Sequence, residues 1–501
     1  MAGRNASFLC RCAAFGAFGL VHWAGGAFAD DAAPARALLE ALADPDPGHL
    51  TQFVDTHFSL AALAEFPATA WAHSLSTVAE ESGGVDGVIL SDAAGDVSFK
   101  GRTRRGAVPV AGHVWLDRED PDKIRGLQLT RDLTARSADA PQWPDFMTDD
   151  RGIAAAVETE VAWRAATDRF SGVVLVAHRD DILVERAVGW ADAAHDRRNE
   201  PSSRFALASL TKMFTAVAVA QLVETGGIAL DEPIGRLLAG YPDPDLAGKI
   251  TVRQLLSHTS GLGDLAIDAP AVWRDFERGA APTEMLGHLA VVRQEFRPGT
   301  GYHYSNAGYL ALGALIEAAG HEPYVERIQA RVFIPADMSD AVFPIPGRLP
   351  ERASEGLTFH EDDPLGFRPR IGNGNAVPIF SSSAAGAYGT AADLFHFMRA
   401  LQAGRLISPM SVRCFTTGLS PTWDRLGLYG LGFIERQTPA GRIYGHAGGA
   451  GAVGINDIVW ASADGAWTVV VLSNYDAPVA VDLGTQIIEF VMRQAPDAAR
   501  H

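Results

Sequence analysis

The sequence contains very little cysteine. Three cysteines occur among 501 residues, and two of them, Cys10 and Cys12, fall within the first 29 residues. If that segment is removed, Cys414 is left alone and no internal disulfide can form. An H-E-x-x-H motif and a cysteine cluster are also missing from the sequence, so we predict no metal site and no cofactor.

A long hydrophobic run is a second absence. The apolar run that starts at Ala13 is too short to cross a membrane. It follows Arg4 and Arg11 and ends in the sequence A-F-A at 27 to 29, which is typical of a secretory signal peptide with an A-x-A cleavage site. We therefore predict a signal peptide over 1–29, export to a bacterial periplasm and no membrane insertion of the mature chain. The alternative is a disordered or anchoring N-terminus.

Positive charge is in short supply as well. The chain has 42 Lys and Arg against 60 Asp and Glu, which gives a formal net charge of −18. This excess of negative charge argues against nucleic acid and anionic membranes as partners. Lysine is the rarest basic residue and occurs only at positions 100, 123, 212 and 249. A lysine in an unusual setting therefore stands out in this sequence.

The chain contains enough apolar sequence for two domains, since 47% of its residues are hydrophobic. Residues 30–138 begin with helical segments and continue with strand-like runs separated by turns, an order that predicts a small α+β domain. That order resembles the small domains of the nuclear-transport-factor-2-like (NTF2-like) type. The stretch 139–150 is rich in Pro and Asp and predicts a linker, and residues 151–497 form the second predicted domain.

Several elements of the second domain are visible in the pattern. The spacing of apolar residues predicts a helix over 152–169 and a last helix over 483–493. Between them it predicts a hairpin that turns at Asp180 and Asp181, and two further strands, RIYGHAG and WTVVVLSN, near the C-terminus.

Lys212 lies within an apolar segment from Phe205 to Val223 that has helical composition. It is the only charged residue between Arg204 and Glu224, and a helix that is apolar all round is usually buried. Burial disfavours the ammonium form and lowers the pKa of a lysine. Ser209 lies three residues earlier, nearly one turn away on the same face, so a neutral Lys212 can accept its proton. The alternative is a lysine that extends to the helix end or pairs with a distant carboxylate.

Two later stretches offer further chemical groups. Tyr304 and Asn306 stand at the predicted start of a helix that ends at Gly320, and they supply a phenol able to shuttle protons and an amide able to hold a carbonyl. The sequence GHAGGAGAVG from Gly445 predicts a strand of small residues that lets a substrate or another backbone approach closely. The alternative for the tyrosine is simple packing, which is also our interpretation of His258.

Together these stretches resemble the serine beta-lactamase-related family, in the class C branch that includes AmpC-type beta-lactamases, D-Ala-D-Ala carboxypeptidases, D-aminopeptidases and family VIII esterases. The resemblance covers about 150–495. It implies an α+β fold, a beta-lactamase/transpeptidase-like domain with an antiparallel sheet flanked by helices plus a helical region. The motifs that carry it are, in chain order, Ser209-x-x-Lys212, Tyr304-x-Asn306 and His446-x-Gly448.

The resemblance implies a serine hydrolase that acts through a covalent acyl-enzyme. Ser209 is then the nucleophile and Lys212 its proton partner. Tyr304 is the general base, or the acid toward the leaving group.

The resemblance also implies a set of substrate-binding groups. Asn306, His446 and Gly448 are expected to contact a small-molecule or peptide substrate. The backbone N–H groups of Ser209 and Gly449 are expected to form an oxyanion hole, which stabilises the negative charge that develops on the attacked carbonyl.

One motif departs from the pattern of beta-lactamases. These generally carry Lys-Thr-Gly where this chain has His446-Ala447-Gly448. Histidine is only partly cationic at pH 7 and alanine donates no hydrogen bond, which weakens the case for efficient beta-lactam hydrolysis. We therefore expect an ester, an amide or a D-amino-acid peptide as substrate, unless His446 is only structural. The competing hypothesis for the whole chain is a non-catalytic module that binds cell-wall peptide or a protein partner.

Overall fold

The structure is a computed structural model, and it divides the chain into two compact units. One unit comprises residues 33–138 together with Leu357–Ile371, and the other comprises Asp139–Gly356 and the chain from Gly372 onward. The predicted domain boundaries stay predictions, and the predicted signal peptide lies outside the described residues. The described residues are 33–91, 96–117, 119–147, 149–265, 269–360, 363, 365–374, 381–422, 427–450 and 453–494.

The N-terminal unit has four helices followed by four strands, as its pattern predicts. The helices are α1 (Ala33–Ala41), α2 (Pro47–His57), α3 (Leu60–Glu65) and α4 (Ala68–Ser82). The strands form an antiparallel meander in the order β1-β2-β3-β4, with bounds Val85–Ser91, Asp96–Thr103, Pro109–Leu116 and Ile124–Arg131.

The core of this unit follows from its residue pattern. Buried and partly exposed residues alternate along β3, so one face of the sheet is apolar and packs against the helices. Trp71 on α4 lies against Phe58, with 4.9 Å between the ring centroids. Leu365, from the segment Leu357–Ile371, is fully buried in the same core. The unit is α+β as predicted, and its NTF2-like identity stays a prediction.

The second unit is built on an eight-stranded antiparallel sheet. Its strands are β5 (Gly172–His178), β6 (Asp181–Val188), β13 (Ser420–Pro421), β14 (Leu428–Tyr429), β15 (Ile434–Thr438), β16 (Gly441–Ala450), β17 (Ile455–Ser462) and β18 (Trp467–Ser473). They pair in the order β13-β14-β15-β16-β17-β18-β5-β6. Two further pairs are β7 (Trp190–Asp192) with β8 (Arg197–Arg198), and β9 (Phe205–Ala206) with β12 (Tyr388–Gly389). A third pair, β10 (Leu357–Thr358) with β11 (Ile371–Gly372), stands at the two ends of the segment Leu357–Ile371 that is grouped with the first unit.

The helices of this unit are mostly short. The bounds are α5 (Asp150–Ala166), α6 (Thr211–Glu224), α7 (Pro244–Ala247), α8 (Val252–Leu256), α9 (Pro270–Glu277), α10 (Pro282–Met285), α11 (Asn306–Gly320), α12 (Tyr324–Ile328), α13 (Ala391–Gln402), α14 (Pro409–Thr416) and α15 (Val479–Arg493). Short 3-10 helices cover Ala208–Leu210, Ile234–Arg236 and Leu286–Val291, and a π-helical turn covers Gln329–Phe333.

Helices cover both faces of the central strands. Every residue of β17 and β18 is buried, which explains their nearly continuous apolar sequence. Ile458 lies under α15, so close to Gly484 that a Cβ at Gly484 would come within 2.3 Å of an Ile458 methyl group. The next residue, Val459, points to the other face and joins the core that contains α6 and α11. No helix among the described residues is long and apolar enough to span a membrane.

Several predicted elements of the second unit occur close to their expected positions. The helix that opens at Asn306 ends at Gly320, and the first hairpin turns between His178 and Asp181. The helix predicted over 152–169 begins and ends two to three residues earlier. The sequence pattern missed β17, whose run of buried residues lacks the alternation that marks a half-buried strand.

Candidate active site

Ser209 lies in a strained turn just before a buried helix. The 3-10 helix Ala208–Leu210 leads directly into α6, and Ser209 itself is partly exposed. Ala208 has φ = +42°, a left-handed conformation that is uncommon for a residue with a side chain. The Leu207 N–H holds the start of the turn by donating to the Ala387 carbonyl oxygen at 2.8 Å. Such strain is often found where a reactive group has to be presented in one orientation.

Lys212 is fully buried one turn further along α6, with 0% of its surface exposed. Its Nζ lies 3.2 Å from Ser209 Oγ, 2.8 Å from Asn306 Oδ1 and 2.8 Å from the Ala384 carbonyl oxygen. Burial lowers the pKa of Lys212 from 10.5 to about 7, and the charge of Asp264 opposes that change. The structure therefore brings Ser209 and Lys212 together and leaves Lys212 able to lose its proton near neutral pH.

The three contacts of Lys212 determine what its neutral form can do. A neutral amine has two N–H donors and one lone pair. The two shorter contacts lead to carbonyl oxygens, which only accept hydrogen bonds, so both N–H groups are used there. The lone pair is then left in the direction of Ser209 Oγ, which is the geometry of a base that removes the serine proton.

Tyr304 lies against the same pair of residues. Its side chain hydrogen-bonds with Ser209, and Lys212 Nζ lies 4.8 Å from the centroid of its ring. Burial raises the pKa of Tyr304 well above 10, an effect that the Ser209 hydrogen bond only partly offsets. The phenol therefore keeps its proton at neutral pH, so it is suited to give a proton to a leaving group.

Asn306 is the first residue of α11, and its amide is held from two sides. Its Oδ1 accepts the hydrogen bond from Lys212, and its Nδ2 donates to Asp264 Oδ2 at 2.8 Å. The helix begins here because Ser305 caps it, with the Gly308 N–H donating to Ser305 Oγ at 3.0 Å. One N–H of the Asn306 amide is left for a substrate carbonyl, so its predicted role is compatible with its position.

Asp264 was not among the predicted site residues. It lies on the loop after α8, about forty residues before Asn306 in the chain, and it follows the sequence LLSHTSGLG. Nothing in the local pattern distinguishes it from other acidic loop residues. Its role depends on a contact between distant segments, which periodicity and spacing do not reveal.

The glycines of β16 let this strand pass close to the nucleophile. A Cβ at Gly448 would lie 2.6 Å from the Leu207 carbonyl oxygen, so a larger residue does not fit there. β15 pairs with β16 only up to Gly445, and beyond it β16 lies against the turn that contains Ser209. Gly449 is on this part of β16, where a backbone N–H can face the site. Its part in an oxyanion hole stays a prediction.

His446 is buried and neutral. Its Nε2 accepts a hydrogen bond from the Tyr429 hydroxyl at 2.8 Å, and its Nδ1 donates to the Ala447 carbonyl oxygen at 2.5 Å. Burial, together with the nearby Lys212, lowers the pKa of His446 to about 3. Both ring nitrogens are thus occupied and the ring carries no charge at pH 7. Direct contact between His446 and a substrate stays a prediction.

An aromatic cluster encloses this side of the site. The rings of Tyr304 and Tyr429 lie 4.2 Å and 4.5 Å from the ring of His258, measured between centroids. His258 Nδ1 accepts a hydrogen bond from the Ser305 N–H at 3.1 Å, and burial holds the pKa of His258 well below 6.5. Tyr429 is a further residue that sequence reasoning missed. Across the described ranges of the chain, no group of three or more His, Cys, Asp or Glu residues is arranged to hold a metal ion.

Comparisons with known proteins agree on one family. A beta-lactamase family model matches residues 153–491. Penicillin-binding protein 4* of Bacillus subtilis (strain 168) is 30% identical over 293 residues, which are 56% of this chain and 63% of that protein. Esterase EstB of Burkholderia gladioli is 32% identical over 306 residues, which are 54% of this chain and 75% of the esterase. This chain thus spans less than two thirds of the first of these relatives.

A solved structure supports the same grouping. The crystal structure of a penicillin binding protein from Bacillus halodurans superposes with a TM-score of 0.56 at 26% identity. The match covers 65% of this chain and 98% of that one.

Proposed function

The chain belongs to the beta-lactamase family, and we propose that it is an exported serine hydrolase that forms a covalent acyl-enzyme with an ester, an amide or a D-amino-acid peptide. The family and the predicted fold, a beta-lactamase/transpeptidase-like domain preceded by a small α+β unit, are confirmed. One observation carries the proposal. It is the set of contacts of Lys212 Nζ, which lies 2.8 Å from two carbonyl oxygens and 3.2 Å from Ser209 Oγ, so that a neutral amine with both N–H groups on the carbonyls has its lone pair free for the serine proton.

The first half of the proposed reaction is acylation of Ser209. Its hydroxyl proton passes to Lys212 Nζ while Oγ forms a bond to the substrate carbonyl carbon. The bond to the leaving group then breaks as the leaving group takes a proton from Tyr304. Tyr304 regains a proton from the Lys212 ammonium group, so the products are an acyl ester on Ser209 and a protonated leaving group.

The second half is hydrolysis of that ester. A water molecule attacks the acyl carbon and gives its proton to the same network. Ser209 Oγ leaves as a hydroxyl, and the acid is released. In both halves the carbonyl oxygen becomes negatively charged, and we assign its stabilisation to the backbone N–H groups of Ser209 and Gly449.

The substrate class is inferred from the groups beside the nucleophile. His446 is neutral and hydrogen-bonded through both nitrogens, and Ala447 has no donor in its side chain. The two residues therefore provide no cation for the carboxylate of a beta-lactam. A relative named as an esterase supports an ester among the candidate substrates.

A serine-directed probe tests the proposal. We expect a fluorophosphonate to label the wild-type chain with one adduct by intact mass, and Ser209→Ala to abolish the adduct. Ser339→Ala removes an exposed serine and is the matched control, which should label like wild type. A wild-type chain without any adduct would support the non-catalytic binding module instead. A panel of p-nitrophenyl esters, D-amino-acid anilides and nitrocefin then separates the substrate classes.

A further inference from the structure

Asp264 is a carboxylate whose contacts converge on the first turn of α11. It accepts hydrogen bonds from the backbone N–H groups of Asn306 at 2.9 Å and Ala307 at 3.2 Å, in addition to the one from the Asn306 side chain. The Leu265 N–H also donates to it, at 2.9 Å. The bonds from the Asn306 and Ala307 backbones satisfy N–H groups that have no partner within the helix, and together the four bonds fix the position of the Asp264 carboxylate.

The position of Asp264 decides which way the Asn306 amide points. An asparagine amide can be rotated so that its oxygen and nitrogen exchange places. With Nδ2 toward Asp264, the oxygen faces Lys212, as the distances of 2.8 Å on each side show. In the rotated form, the amide oxygen would meet the Asp264 carboxylate, and two acceptors would repel one another. The carboxylate therefore excludes the rotated form.

We propose that Asp264 is a positioning residue for the Lys212 base. It holds the Asn306 amide with the oxygen toward Lys212, so that one Lys212 N–H is engaged there and the lone pair stays directed at Ser209. The inference rests on the proposed acyl-transfer function, because it assigns Asp264 a role in that reaction. Asp264 acts through Asn306 and does not touch the reacting atoms.

Among the residues that the structure describes, the groups around Lys212 are uncharged apart from Asp264, so the effect of the Asp264 charge on the pKa of Lys212 can be measured. The rings of Tyr304 and Tyr309 lie 4.8 Å and 5.3 Å from Nζ, and two nearby histidines, His258 and His446, are neutral. The charge that acts on Lys212 through space is that of Asp264, and it raises the pKa of the lysine. In a plot of kcat/KM against pH, the rate rises on the acid side as Lys212 loses its proton, and we call this rise the acid limb. Removal of the Asp264 charge should therefore move the acid limb to lower pH.

Asp264→Asn is the direct test, because it removes the charge and keeps the volume. The new side-chain amide would donate toward Asn306 and favour the rotated form, in which Lys212 loses its acceptor. We expect kcat/KM for a p-nitrophenyl ester to fall by about 10- to 100-fold, the range for a lost hydrogen bond in a buried network. The acid limb should move to lower pH. Asp243→Asn is the matched control, since Asp243 also caps a helix, α7, but is exposed.

A second variant, which exchanges the carboxylate and the amide between positions 264 and 306, distinguishes a positioning role of Asp264 from a purely structural one. In the double variant Asp264→Asn with Asn306→Asp, the new amide donates to the new carboxylate, which still accepts from Lys212. Because Asn306→Asp also removes the amide N–H expected to hold the substrate carbonyl, the acid limb of this variant is its readout, not the size of its kcat/KM. Its acid limb should lie at higher pH than in wild type, because the negative charge now touches Nζ. Both shifts of the acid limb are effects that a merely structural residue would not produce.

The proposal is overturned in two ways. Asp264→Asn could keep the kcat/KM and acid limb of wild type, or the double variant could show an acid limb that does not lie above that of wild type. If Asp264→Asn does not fold, the double variant alone decides, by the presence or absence of a limb at higher pH. Labelling of wild type by the fluorophosphonate is scored first, so a failure of the proposed hydrolase function is recognised separately.

Discussion

Replacement of Lys212 by methionine tests the protonation state on which the proposed reaction depends. Lys212 is completely buried, and its pKa falls from 10.5 to about 7 on folding. Between these two pH values the unfolded chain binds one proton more than the folded chain does. A rise in pH in this window therefore penalises the unfolded state and stabilises the fold of the wild type.

The size of the effect follows from the two values. The interval from 10.5 to about 7 corresponds to about 5 kcal/mol over the whole window. Between pH 7 and pH 9 the wild type should gain about 2 kcal/mol in its free energy of unfolding relative to Lys212→Met, which has no such proton to bind. The methionine leaves the oxygens of Asn306 and Ala384 without a donor, a cost that does not depend on pH.

The assay is urea unfolding of both proteins at several pH values from 6.5 to 9, followed by tryptophan fluorescence. Lys249→Met is the matched control, because Lys249 is exposed, and its difference from wild type should stay constant with pH. Lys212→Met should also lose about 100- to 10,000-fold in kcat/KM, as expected for removal of a general base. A difference between wild type and Lys212→Met that does not change from pH 7 to pH 9 would refute a neutral Lys212 in the folded protein.

Two further predictions concern the neighbours of Lys212. Tyr304→Phe should slow hydrolysis of a D-amino-acid anilide by about 100-fold or more and of a p-nitrophenyl ester much less, because only the anilide leaving group needs a proton; equal losses would contradict an acid role. His446→Gln should keep the acid limb of kcat/KM near pH 7, because the pKa of His446 is about 3 and that of Lys212 about 7; a limb that disappears would assign the titration to the histidine.

The parts of the site that could be predicted are local in sequence. Ser209 and Lys212 share one turn of a helix, and Tyr304 and Asn306 flank the start of another, so helical periodicity and a family resemblance were enough to select them. The charge state of His446 could not be predicted in this way. The pKa of His446 is lowered by burial and by the nearby Lys212. Both conditions arise from contacts between segments that are far apart in the sequence.

Asp264 was missed for a related reason. Its carboxylate contacts the site only because the loop after α8 packs against the N-terminus of α11. No local sequence pattern connects these two segments. The same limit applies to β17, which is buried on both faces and therefore lacks the alternation of an exposed strand. The fold of the N-terminal unit was easier to predict, because each of its strands pairs with the next strand in the sequence and its elements are separated by clear turns.

The charges around the nucleophile lead to one more consequence for the substrate. Lys212 is half neutral near pH 7, His258 and His446 are neutral, and Tyr304 keeps its proton. The negative charge of Asp264 is engaged by Asn306 and by the start of α11. A substrate carboxylate placed beside Lys212 would stabilise the ammonium form and so consume the base that the reaction needs. We therefore expect uncharged acyl groups to react fastest, and an anionic ester to show an acid limb at higher pH than its neutral analogue.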